Sequence, residues 1–175
     1  MAFFSEGGGR VKLLILYILQ RFGTPVTREQ LYTAMAQVDP TDFFEASELC
    51  AQLEQDQYMI SVPVRKQQML FLTEKGARLC DAFEREIARS VRDEVVGYTN
   101  EHRDEVRREN CIVTDALPQP DGSWKLSLSI LGKDSVLFEI DLQMPDSAST
   151  YRAQQCWLAE ADSIYIELLE RLTGK

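Results

Sequence analysis

The chain is poor in the residues that build reaction centres. It has one histidine, His102, and its four cysteines, Cys50, Cys80, Cys111 and Cys156, lie far apart with no C-x-x-C pair. That spacing excludes an ordinary zinc site and a disulfide framework. Cys50 and Cys80 fall on apolar helix faces and read as small core residues. No phosphate-binding glycine loop, serine nucleophile motif or dinucleotide fingerprint occurs. No pair of carboxylates is set apart by its surroundings, and His102 sits in a charged helix as a solvated residue. No catalytic residue, metal or cofactor is therefore expected, and an enzyme is not the expected class. Long apolar runs are missing as well: Val11 to Leu19 is too short to span a bilayer, and Met1 to Gly9 has no basic region before an apolar core. The expectation is a cytoplasmic protein without membrane contact, with Gly7-Gly8-Gly9 as a flexible lead-in.

Positive charge is in short supply. The net charge is −9 over 175 residues, and the acidity concentrates in residues 110–175, with 5 Lys/Arg against 10 Asp/Glu. Nucleic-acid binders usually carry a basic footprint, so this chain would need its few cations well placed. The length suffices for one domain or two small ones with a real core.

What is present centres on Met69 to Gly76. Leu70 and Leu72 share one face of an extended segment, and Thr73 supplies a cap for a helix from Glu74, so a strand runs straight into a helix. Upstream, Tyr58 to Val64 is another β-prone run, joined through Arg65-Lys66-Gln67. The two form a hairpin with a basic tip. Three helical segments precede the hairpin and one follows it, which is the element order of a winged helix-turn-helix.

The first of those helices, Arg10 to Phe22, is apolar nearly all round. Either it is a central core helix or part of its surface is a dimer interface. Thr27-Arg28-Glu29-Gln30 is a capping-box pattern opening a second helix with Leu31, Ala34, Met35 and Val38 inward. The third begins between Asp42 and Glu45 and buries Ala46, Leu49, Cys50 and Leu53. Its other side presents Glu45, Ser47, Glu48, Gln52 and Gln55, with no Lys or Arg from Thr41 to Met59. Acids repel phosphates, and that counts against simple DNA binding. On the other side stand Arg10, Lys12, Arg28, Arg65 and Lys66, which read either as phosphate contacts at the second helix and the wing tip or as ordinary surface charge.

The helix from Glu74 turns Ala77, Cys80, Phe83 and Ile87 inward. A charge-dense piece capped near Ser90 runs on to Glu109, with Arg89 and Asp93 at ion-pair spacing and Gly97 as a possible bend. From Cys111 the period becomes two. Cys111–Leu117, Trp124–Leu131 and Val136–Leu142 form an antiparallel meander around the turns Pro118–Gly122 and Gly132–Asp134. Asp146 or Ser147 caps a last helix to Leu172, whose stripe Ala153, Trp157, Ala161, Ile164 and Leu168 covers the sheet. Tyr151, Leu158, Tyr165 and Leu172 form a second line at heptad spacing. The fold class is thus α+β: a winged-helix domain over residues 1–87, a connecting helix over 88–109, and a three-stranded sheet with one long covering helix over 110–175.

Leu72-Thr73-Glu74-Lys75-Gly76 resembles the end of the wing in bacterial regulators of the PadR and MarR type. Together with Lys12–Leu19, Asn100–Arg107 and the late helix around Cys156-Trp157, it resembles a bacterial winged-helix family catalogued only as a domain of unknown function and described as candidate transcriptional regulators. Two positions depart from that pattern. Gln57 stands where a glycine commonly turns the chain into the wing, and Ala88 stands where a proline commonly separates two helices, leaving room for a continuous one. The resemblance implies a fold and no reaction. The functional expectation is a homodimeric regulator bound to double-stranded DNA, with Ser47 and Gln52 nearest the bases and Arg28, Arg65 and Lys66 on phosphates. A small-molecule effector is left open. The alternative is a protein-interaction module that binds no DNA, using the acidic third helix.

Overall fold

Helix α1 (Gly9–Phe22) sits at the centre of the N-terminal half. Every side chain from Leu13 to Leu19 is almost fully buried, as is Phe22, so α1 is the central core helix. It stops at Gly23, whose left-handed φ of 64° suits glycine and whose N–H closes on Leu19 O at 3.2 Å. The computed structural model describes residues 8–39, 42–64, 67–132 and 136–174. Over these the chain is α+β, with six α-helices and two three-stranded antiparallel sheets. It divides into two units, one ending at Arg107 and the other running from Arg108.

In the N-terminal unit, β1 (Val26–Thr27) leads straight into α2 (Arg28–Val38). The capping box is complete: Thr27 Oγ1 accepts from Gln30 N at 3.2 Å, and Gln30 Oε1 accepts from Thr27 N at 2.9 Å. Asp42 caps α3 (Phe43–Gln55) through Phe44 N and Glu45 N. The hairpin strands are β2 (Met59–Val64) and β3 (Gln67–Leu72), and the sheet order is β1-β3-β2. β1 was not expected. Val26 pairs with Leu70 and Thr27 with Met69, which makes β3 the middle strand and explains why Met69 to Leu72 are all buried. Pro63 lies in β2, an outer strand, where a missing N–H is tolerated.

The corner between α3 and β2 is held by the residues after β3. Gln57 adopts φ 61°, and the N–H groups of Gln57 and Tyr58 reach back to Glu54 O (3.0 Å) and Leu53 O (2.9 Å), a Schellman ending with glutamine where glycine usually sits. Thr73 N donates to Tyr58 O at 3.2 Å, and the Thr73 hydroxyl is shared between Gln57 O (2.8 Å) and Tyr58 O (2.9 Å). Lys75 Nζ donates to Asp56 O at 2.6 Å and lies over the Tyr58 ring. Gly76 N donates to Thr73 Oγ1 at 3.1 Å, and a Cβ on Gly76 would fall 2.1 Å from Tyr58 O. The Thr-Glu-Lys-Gly run is thus a clasp, in which each residue but Glu74 touches the corner or makes room for it.

Helix α4 (Glu74–Phe83) and helix α5 (Arg89–Cys111) are separate. Glu84–Glu86 form a 3-10 turn, and Ile87 is extended at ψ 129° with its side chain buried. The replacement of proline by Ala88 therefore does not produce a continuous helix, because Ile87 is turned into the core. Ser90 is not the cap: the helix already begins at Arg89, and Ala88 O accepts from Arg92 N at 3.0 Å. Gly97 lies exposed within α5, which runs through it as helix.

In the C-terminal unit, β4 (Ile112–Pro118), β5 (Trp124–Leu131) and β6 (Val136–Met144) pair in the order β4-β5-β6. Asp121 shapes the first turn by accepting from Ser123 N and Oγ. Helix α6 (Ser147–Thr173) is capped by Asp146 through Ser149 N at 2.7 Å. Trp157 and Ala161 bury against Ile112, Leu126, Leu128 and Ile130, and Trp157 Nε1 donates to Val113 O at 3.0 Å. The tryptophan thereby fills the core without leaving its polar atom unmet.

Candidate nucleic-acid interface

Helix α3 turns Ala46, Leu49, Cys50 and Leu53 into the core, and that orientation fixes what it offers outward. The most exposed line is Phe44, Glu48, Ala51 and Gln55, spaced as one helical stripe. Ser47 and Gln52, expected to be central, lie half-buried on the two shoulders of that stripe. Gln52 Nε2 is 3.4 Å from Glu48 Oε1, a long hydrogen bond along the same helix. At the helix start, Phe43 is 58% exposed and Phe44 80% exposed, with Phe43 edge-on to Tyr32 at 5.1 Å and to Phe44 at 5.9 Å. Sequence periodicity had grouped neither phenylalanine with the outward face. The spacing of Phe44 from Glu48 and Ala51 was the signal that would have found it.

The cations are dispersed. Arg28 opens α2, and its guanidinium is ion-paired with Glu54 of α3. Burial would lower its pKa, but the hydrogen bonds and charges of Glu54 and Tyr32 together outweigh this and the pKa is raised. The pair ties α2 to α3, so Arg28 works as a strut between the two helices. Arg10 is paired with Asp39 at 3.0 Å. Lys12 is only 5% exposed and does not stand at a phosphate-facing surface. Arg65 and Lys66, expected at the wing tip, lie outside the described residues.

Elsewhere, chemistry is sparse. Cys50 and Cys80 are buried thiols pushed up to about 11 and about 12 by burial, which keeps them protonated and unreactive at neutral pH. His102 is half-buried rather than solvated, stacked on Tyr98 with ring centroids 4.1 Å apart and its Nδ1 2.9 Å from Tyr98 O. Among the described residues no three His, Cys, Asp or Glu side chains converge on a metal-sized site. None of the described helices is long and apolar enough to cross a membrane.

No curated protein and no solved structure matches this chain. A family model described as a domain of unknown function, DUF4364, matches residues 11–172, and the chain belongs to that family.

Proposed function

We propose that the N-terminal unit is a winged helix-turn-helix and that the protein is a cytoplasmic, homodimeric DNA-binding regulator of transcription. The observation that supports this reading is the path α1-β1-α2-α3-β2-β3 with strand order β1-β3-β2, in which α3 is followed by the hairpin β2-β3 where a wing would stand. In this reading α3 lies in the major groove. Its stripe has usable chemistry without a cation: Glu48 accepts from a cytosine amine, Gln55 pairs with adenine, and Phe44 and Ala51 meet thymine methyls. Ser47 and Gln52 flank these contacts, and Arg65 and Lys66 hold phosphates from the wing. With so few cations, affinity is low and selectivity depends on α3.

The test is retention of fluorescent duplexes from the protein's own genomic neighbourhood at low and moderate salt. Sequence-selective binding that falls with salt and with Arg65→Ala plus Lys66→Ala supports a regulator. No retention at either salt by folded protein refutes it. A second reading is favoured by one observation: α3 exposes Phe43 and Phe44 beside Glu45 and Glu48, an apolar and acidic face suited to a basic protein surface. That reading requires binding that depends on Glu45 and Glu48 and ignores the wing.

A further inference from the structure

Strand β6 is the longest described strand, at nine residues, and an outer one: β5 pairs with one side of it and no described strand pairs with the other. It contains no proline, lysine or arginine, and its register with β5 is regular from Phe138 to Met144. Its inward positions carry Phe138, Ile140 and Leu142 rather than a charge. An outer strand ordinarily has one of those features to keep other chains away. Leu137, Glu139, Asp141 and Gln143 are all exposed, so the backbone groups that turn away from β5 lie at open surface. The inner face is incomplete as well. Helix α6 bends at Glu160, whose φ of −129° and ψ of 15° leave the helical range, and Ala161 just beyond is its last buried residue. Beneath the helix Leu126, Leu128 and Ile130 of β5 are buried, whereas Phe138, Ile140 and Leu142 of β6 are only half-covered.

We propose that β6 receives an extended segment of another protein in which basic and apolar residues alternate. Its backbone pairs with the free side of β6, and its apolar residues complete the cover beside Phe138, Ile140 and Leu142. The opposite face sets the charge. The charged residues there are Asp115, Lys125, Glu139 and Asp141. Lys125 is ion-paired with Asp141 at 2.7 Å and stands one strand back, so β6 itself presents two carboxylates. The surrounding unit is acidic too, with 5 Lys/Arg against 10 Asp/Glu over residues 110–175. A basic residue of the incoming segment meets Glu139 and Asp141 across the strands. A second copy of β6 lacks that charge: the antiparallel register that overlaps all nine residues sets Glu139 of each copy against Asp141 of the other, and a parallel one sets like residues side by side. This surface lies in the C-terminal unit and does not rest on the DNA reading.

The experiment uses the full chain and a fluorescein-labelled nonapeptide of alternating lysine and valine. Anisotropy should report binding, and a glutamate-valine counterpart should not bind. Two further peptides carry N-methyl groups either on every lysine or on every valine. One should lose binding and the other keep it, because only alternate N–H groups face β6. Hydrogen exchange should slow at alternate amides between Leu137 and Gln143 when the peptide is added. Glu139→Lys, at an exposed position, should weaken binding roughly fivefold with an unchanged circular dichroism spectrum. No binding of the lysine-valine peptide overturns the proposal, as does equal binding of the glutamate-valine peptide or binding of both methylated forms. Amides of β6 that are already protected without peptide, increasingly so at higher protein concentration, overturn it in favour of a second copy.

Discussion

Gln57 and Gly76 both border the corner between α3 and β2 and make opposite demands. A left-handed glutamine carries a steric cost of roughly 1–2 kcal/mol, part of which glycine would give back as lost chain entropy. Gln57→Gly should therefore raise stability by about 1 kcal/mol, read as a higher urea midpoint, since the glutamine side chain is exposed. Gly76→Ala should lower stability by about 3 kcal/mol or more, because the added methyl meets the Tyr58 carbonyl, part of the backbone, rather than a side chain that can swing aside. If Gly76→Ala melts like the native protein, the clasp between β3 and the α3 corner is looser than described. Both residues stood out in the sequence, Gln57 as an oddity and Gly76 as part of a motif, but only packing shows why. The caps at Thr27, Asp42 and Asp146 were legible because donor and acceptor lie within three residues. The fate of Arg28 was not, since Glu54 is 26 residues away.

Among the elements, helices with a clear stripe were legible, while a strand and a bend without local markers were not. β1 has two residues and exists only because β3 lies beside it, so no local pattern announces it. The bend at Glu160 has no proline or glycine to mark it, whereas the break before α5, expected just ahead of Ser90, falls at Ile87. Gly97 gave the reverse error: it reads as a bend and is ordinary helix with open space around its Cα. Gly97→Ala should accordingly stabilise α5 by roughly 0.5–1 kcal/mol, seen as a higher melting temperature. In the C-terminal unit three exposed carboxylates are held below the usual range: Asp121 by the Ser123 hydroxyl, Asp141 by Lys125 and then Ser127, and Asp146 by the Ser149 amide. A depressed folded pKa adds stability above the unfolded value, near 3.9, and that stability is lost as pH falls through the folded value. Urea midpoints should hold from neutrality to roughly pH 4 and drop below it. Trp124 and Trp157, the two tryptophans, both lie in this unit and supply the fluorescence signal. An equal midpoint at neutral and strongly acid pH would show that these contacts do not persist in solution.

For the molecule as a whole, the chain told more about its architecture than about its partner. The α+β class, the meander and its covering helix followed from a change of hydrophobic period at Cys111, a signal spread over many residues. The candidate interface involves few residues, and its charges are decided by pairings across elements. On the DNA reading, Glu54→Gln should release Arg28 and remove one acid, tightening duplex binding and steepening its salt dependence by roughly one counterion. Weaker binding in that variant would mean that the strut between α2 and α3 matters more than the cation it holds.

The N-terminal sheet also limits how any macromolecule can attach to it. Its two outer strands are β1, which is only two residues long, and β2, which carries Pro63. Neither rim offers an unbroken row of backbone donors and acceptors, so the sheet is guarded against recruiting a foreign strand and against edge-to-edge aggregation. A molecule that docks beside this hairpin would be met through side chains rather than by strand addition.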